Sequence, residues 1–302
     1  MGFKLRKKES AGAGIRRVAR EEIEDALEIL EGKNADPEES VHELRKHFKK
    51  IRAILRLVRD EVGDEIYRRD NGAVRELGRR LAAARDASVR ASAFDHLRSD
   101  SEKELPSDRV LPIRKTLAAR RRAAFGRLTR GSSLAAISRE LDALRARVRA
   151  WPIRREGFSC FEPGLRRGYR EGRKAGPDAY ATREDDAFHE WRKRAKDLRY
   201  HVELLEPVWP EAMKDLEKSL HELTDRLGDD HDFADLRRAL TTSPKIAPVD
   251  AAATVIELID RRRSGLQAAA RPIGARIYAE KPRAFGRRIG SYWDAWRSCP
   301  DE

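Results

Sequence analysis

Apolar residues return every three or four positions along most of this chain, while the alternation of Val, Ile, Thr and aromatics that marks a half-buried strand is missing. This periodicity predicts an all-α fold, with helices near 15–31, 38–60, 73–98, 109–130, 133–149, 160–174, 183–206, 211–240, 250–279 and 284–297. Breaking residues fall between them: Gly32 with Pro37, Gly63, Asn71-Gly72, Pro106, Gly131, Pro152, Gly176-Pro177, Pro207 with Pro210, and Ser243-Pro244. Asp36-Pro37-Glu38-Glu39 reads as a helix start, because a capping acid precedes a proline suited to the first turn and two acids that face the positive end of the dipole.

The helical pattern repeats on a larger scale. An offset of 147 lays VHELRKHFKKIR (Val41 to Arg52) over FHEWRKRAKDLR (Phe188 to Arg199). His42, Glu43, Arg45, Lys46, Lys49 and Arg52 recur as His189, Glu190, Arg192, Lys193, Lys196 and Arg199. An offset of 146 then aligns Leu81, Arg85 and Asp86 with Leu227, His231 and Asp232, so the chain reads as a duplicated half of roughly 150 residues.

Composition adds a sign to this pattern. With 65 Lys and Arg against 52 Asp and Glu the net charge is +13, and 39% of the residues are charged. A basic excess points to a polyanion: nucleic acid, anionic lipid or a phosphate polymer. No apolar run is long enough to span a membrane, and the basic N-terminus has no apolar stretch behind it, so a cytoplasmic protein is expected. Cys160 and Cys299 are too few and too far apart in sequence for a zinc site or a disulfide framework, which also fits a reducing compartment.

Helical geometry places the charge. At about 100° per residue, with His42 at zero, Arg45, Lys46, Lys49, Arg52 and Arg56 fall within roughly −80° to +40°. Leu44, Phe48, Ile51, Ile54, Leu55 and Val58 lie opposite, between about 120° and 240°. The second copy repeats both faces, and Tyr200 borders its basic stripe. Solvated faces ordinarily mix signs, since like charges at i, i+3 and i, i+4 destabilise a helix. A one-sign stripe kept twice argues that a bound anion relieves the repulsion.

H-x-x-R-K-x-x-K-x-x-R on a helix, once in each half of an all-α chain, resembles the CHAD family, the conserved-histidine α-helical domain. LAAARDASV (Leu81 to Val89), LGDDHDFADL (Leu227 to Leu236) and GLRRGYREGRKA (Gly164 to Ala175) resemble further segments of that family. The resemblance implies two pseudo-symmetric four-helix-bundle-like halves around a basic central cavity: one domain over 15–297, halved near 15–150 and 151–297, after a basic segment at 1–14. It also implies binding of inorganic polyphosphate and association with polyphosphate granules. The polyphosphate contacts would be His42, Arg45, Lys46, Lys49, Arg52 and Arg56 with His189, Arg192, Lys193, Lys196, Arg199 and Tyr200. Arg166, Arg167, Arg170 and Arg173 would be secondary anion contacts. Arg56 carries less weight, because its repeat partner is Glu203.

Catalysis, a cofactor and a metal are not expected. The Glu-x-Glu-x-Lys strand motif of the triphosphate tunnel domains that accompany many family members does not occur; Glu22-Ile23-Glu24 leads to Ala26 on a helix. His42-Glu43 and His189-Glu190 open like a zincin motif, but Lys46 and Lys193 stand where its second His belongs. Nucleic acid is the competing ligand, though the stripes carry few aromatics for base stacking; a granule-associated adaptor is a third reading. His42 and His189, set among cations, are expected to make polyphosphate binding tighten from pH 8 to pH 6.

Overall fold

A computed structural model describes residues 2–32, 36–101, 104–105, 107–243, 246 and 249–299. Among these there are eleven α-helices and no strand: α1 (Ala11–Glu31), α2 (Pro37–Leu57), α3 (Arg59–Arg80), α4 (Ala82–Asp100), α5 (Ser107–Arg130), α6 (Ser133–Val148), α7 (Glu162–Thr182), α8 (Asp185–Leu204), α9 (Pro210–Thr242), α10 (Val249–Ile277) and α11 (Pro282–Ser298). The expected breakers Pro106 and Pro244 lie outside the described residues.

α2 starts as its sequence dictates. The Asp36 carboxylate accepts the Glu38 N–H at 3.2 Å, Pro37 takes the first turn, and Glu38 and Glu39 meet the dipole. In the first part of the chain α1 packs on α2 and α6, α2 on α3, and α4 on α5. In the second part α7 packs on α8 and α11, α8 on α9, and α9 on α10. The two parts meet where α2 lies on α8 and α4 on α9. The larger apolar cluster takes residues from both parts, including Leu44, Ile51, Trp191 and Leu198. A second cluster, built on Phe94, Ile113, Leu236 and Ile259, joins α4, α5, α9 and α10. Neither cluster stops at residue 150, so burial in one part completes the other.

The residues ahead of α1 are built into this core. Phe3 and Leu5 are buried, the Leu5 N–H donates to the Leu204 carbonyl at 3.1 Å, and Lys4 pairs with Glu206 at 2.6 Å. Their basic appearance in sequence conceals an apolar pair that closes over α8.

Two local readings change. The stretch 61–72, bracketed by the expected breakers Gly63 and Asn71-Gly72, is nonetheless helical: α2 ends at Leu57 and α3 runs on from Arg59 through Gly72, with a kink at Gly63 where φ is +79°. Tertiary contacts hold it. Asp70 is fully buried and accepts hydrogen bonds from Arg147 at 2.8 Å, Arg69 at 2.9 Å and Trp151 at 3.0 Å. Burial pushes its carboxyl up, but these donors outweigh that and leave it below the ordinary value. The expected helix at 73–98 is divided by a break at Leu81. α7, conversely, runs straight through Gly176-Pro177 and ends at Arg183 in the left-handed region, φ 57°. Its buried stripe of Leu165, Tyr169, Gly172, Gly176 and Ala179 outweighs the hydrogen bond lost at Pro177.

α7 comes against the end of α2 at Gly164, where an added Cβ would overlap the Leu57 carbonyl. Gly164→Ala should therefore cost about 1–3 kcal/mol through forced separation of the two helices. A urea melt checks this, and an unchanged midpoint would mean that α2 and α7 part at no cost.

Candidate functional site

The apolar stripes of α2 and α8 are buried as their periodicity requires, with Leu44, Ile51, Ile54, Trp191, Ala195 and Leu198 at 2% exposure or less. Because α2 packs on α8, the basic stripes are drawn toward one another. Lys49 feels the charges of Lys196, Arg192, Arg45 and Arg85; burial pushes its ammonium well below the ordinary lysine value, and these four neighbours push further. Lys196 is lowered to about 7 by burial, then by Arg192 and Arg199, with Asp225 and Asp232 pulling the other way. Arg45 is lowered by burial and by Arg85 and Arg192, with Asp86 opposing. Arg45, Lys49, Arg192 and Lys196 thus share one electrostatic environment.

Two cavities border this group. One of about 220 Å³ lies between α2 and α3, walled by Arg45, Lys49, Arg52, Arg75 and Arg79 with no carboxylate in its lining. Arg45 is fixed there by a 2.7 Å hydrogen bond to the Gly78 carbonyl, and Arg52 by one of 3.0 Å to the Asn71 side-chain oxygen. The other, of about 430 Å³ between α4 and α9, exposes His42, Arg85, His96 and Arg262 beside Asp229 and Asp232.

Other candidates are spent elsewhere. Arg56 pairs with Asp197 at 2.9 Å, tying α2 to α8, and Arg199 pairs with Glu217 at 2.6 Å. Lys46 and Lys193 point to solvent, each paired with the glutamate three residues before it, Glu43 and Glu190. Tyr200 is turned into the core, 4% exposed, edge-on to Phe3 at 6.3 Å, because the N-terminal segment covers that side of α8. Arg166 pairs with Glu162 and Arg167 with Asp60, whereas Arg170 and Arg173 line a separate groove between α7 and α10.

The histidines differ from expectation in cause. His189 stacks on His231 at 4.0 Å and is lowered to about 4, first by burial and then by Lys193 and Arg192. His231 is lowered to about 4 in the same way. His42, half exposed, is lowered by burial and by Arg85. Lys196, lowered to about 7, thus adds a lysine titration near neutrality to this group.

Arg75, Arg79 and Arg85 did not stand out in the sequence. Arg85 does sit in the repeated LAAARDASV segment, opposite His231, and Arg75 and Arg79 share one helix face at i, i+4. Asp86 and Asp232, the aligned acids of the repeat, lie within electrostatic reach of Arg45 and Arg90, and of Arg192 and Arg85. Among the described residues a metal-ligand grouping occurs at Glu22, Asp25 and His47, but Lys50 already contacts Glu22 at 3.2 Å.

The family model for the CHAD domain matches residues 17–241. The chain belongs to the CHAD family. Two uncharacterized Mycobacterium tuberculosis proteins, from strains CDC 1551 / Oshkosh and H37Rv, are each 32% identical over 197 residues; the match covers 62% of this chain and 38% of each relative. PptA from Streptomyces chartreusis shares the fold with a TM-score of 0.61 at 16% identity, covering 90% of this chain and all of that one. A CHAD domain from the plant Ricinus communis gives 0.56 at 20% identity, covering 94% and 95%. Among the described residues no helix is long and apolar enough to cross a membrane.

Crowded cations in this CHAD domain oppose folding. Lys196 titrates near 7 folded and near the ordinary lysine value of 10.5 unfolded, so from pH 7 to 10 the unfolded chain holds more protons and stability rises with pH. Lys196→Met should raise stability at pH 7 by about 1 kcal/mol and flatten that rise. Urea midpoints at pH 7 and 9.5 measure both effects; a destabilised variant would show that the ammonium is held by favourable contacts.

Proposed function

We propose that this chain binds inorganic polyphosphate, the ligand for which its family is known, along the cationic faces of α2 and α8. The observation that carries this is the cavity walled by Arg45, Lys49, Arg52, Arg75 and Arg79. Arg79 is paired with Glu76 at 3.0 Å, but Arg45, Lys49, Arg52 and Arg75 crowd about 220 Å³ with no acid in its lining, and an anion relieves their repulsion. The α2 stripe rises about 15 Å from His42 to Arg52, long enough for several successive phosphates. Arginine forks grip paired oxygens while lysines act as movable point charges, so a repetitive chain is held in any register.

Internal duplication is part of the same reading, and contacts at repeat-related positions support it. Arg52 bonds Asn71 while Arg199 bonds Glu217; His42 feels Arg85 while His189 stacks on His231. The copies are unequal, because a neutral amide faces Arg52 and a carboxylate neutralises Arg199. The first copy therefore holds phosphate more strongly, with Lys49 and Lys196 joining the two ladders in a basic central cavity. The role is binding without turnover, in the cytoplasm and at polyphosphate granules, with Arg56 and Tyr200 supporting the ladder from behind.

Competition of long-chain polyphosphate, duplex DNA and RNA against one labelled polyphosphate at fixed salt tests the ligand. Equal displacement by DNA per phosphate would favour nucleic acid instead. Lys49→Glu or Lys196→Glu should weaken polyphosphate at least about tenfold, and Arg139→Glu on the exposed face of α6 by less than about twofold. Equal losses would mean diffuse charge.

The pH dependence provides a second check. A bound polyanion favours protonated Lys196, so affinity should rise from pH 8 to pH 6 as that group charges through about 7. Lys196→Met should abolish the rise, while His42→Ala/His189→Ala should preserve it; the reverse result would return the titration to the histidines.

A further inference from the structure

On the side of α8 away from the basic stripe, a groove of about 790 Å³ runs between α7 and α10. This volume lies within the range of small-molecule sites. Its floor is aromatic. Trp191, 2% exposed, presents its indole edge between Gly176 and Gly274, and Tyr278, 6% exposed, lies against Gly172. A Cβ at Gly172 or Gly274 would overlap these rings, so the glycines are what let the aromatic edges reach the groove. Tyr180 adds a third ring.

Two buried polar atoms at this floor, the Trp191 indole nitrogen and the Tyr278 hydroxyl, have no hydrogen-bond partner. Such orphans are uncommon in native proteins and point to a missing partner. The rim supplies charge of one sign: Arg170, Arg173, Lys174 and Arg271 line it, with no carboxylate in the lining. Among the described residues none of the four is in a salt bridge. Two are nonetheless fixed, Arg173 by a 3.0 Å hydrogen bond to the Tyr278 carbonyl and Arg271 over the Tyr180 ring at 5.1 Å.

The corresponding place in the first half is closed. GIRRVARE (Gly14 to Glu21) aligns with GLRRGYRE (Gly164 to Glu171), which sets Glu22 opposite Gly172 and Leu44 opposite Trp191. Glu22 is buried and held by His47 at 2.6 Å and Lys50 at 3.2 Å. The open floor thus belongs to one copy and is no by-product of the shared helix packing.

We infer that the groove between α7 and α10 is a second ligand site, for a small planar aromatic anion whose ring lies on the Trp191, Tyr180 and Tyr278 floor and whose phosphate or carboxylate meets the four cations. It is independent of the polyphosphate reading, since its residues lie across α8 from the ladder.

Isothermal titration of the full chain with adenosine monophosphate and with 1-naphthoate tests the site. At least one should bind, with adenosine and inorganic phosphate each at least about tenfold weaker, because ring and anion are both required. The tighter of the two assigns the anionic group. Filling the groove with Ala275→Trp, at an exposed position on α10, should weaken binding at least about tenfold, as should Arg170→Gln/Arg271→Gln, while Lys49→Glu/Lys196→Glu leaves it unchanged. The inference is overturned if neither probe binds, if phosphate alone binds as well as the nucleotide, or if the ladder variant loses binding and the groove variants keep it.

Discussion

Like-charge crowding between α2 and α8 is the constraint around which this fold is arranged. Burial lowers the proton affinity of Lys49, Arg45 and Lys196, and the charges of their cationic neighbours, Arg192 among them, lower it further. On the charged side the Arg56–Asp197 pair ties the helices at one end, while these four cations oppose the approach. What enforces it lies behind: the apolar stripes of the same helices, buried in a cluster that spans both parts of the chain. Hydrophobic burial is non-directional, so it can hold two repelling faces together if each helix carries its apolar face opposite its basic one.

Ion pairs then decide which cations remain available. Arg56, Arg199, Lys46, Lys193, Arg166 and Arg167 each have a carboxylate within bonding reach, while among the described residues Arg45, Lys49, Arg52 and Arg75 form a wall without one. The net charge of +13 is therefore a poor guide to binding capacity, because several cations of the expected site are already paired with carboxylates. The α2–α3 cavity and the α7–α10 groove are both lined by several cations and no carboxylate. Glycines play opposite parts around them: Gly164 permits a helix contact, whereas Gly172 and Gly274 keep a floor clear.

Much of the site was legible because periodicity and repetition are linear properties. Val41 to Arg52 and its copy show which side chains share a helix face, and the apolar positions opposite them came out buried. Less legible were contributions set by contacts distant in sequence. Arg75 and Arg79, expected on a helix, reach the cavity because α3 packs against α2 and is anchored at Asp70 by Arg147 and Trp151. Tyr200 sits at the margin of the basic stripe by angle, yet Phe3 covers it from nearly two hundred residues away.

By itself the sequence determined the helical class, the one-sign stripes and their recurrence, since each follows from residue spacing along a helix of known pitch. Tertiary structure alone decided which charges are neutralised, that burial among cations lowers Lys196 to about 7, and that an aromatic-floored groove opens between α7 and α10. Pair formation, desolvation and cavity volume all depend on distances between helices, and those are fixed only when the apolar faces have packed.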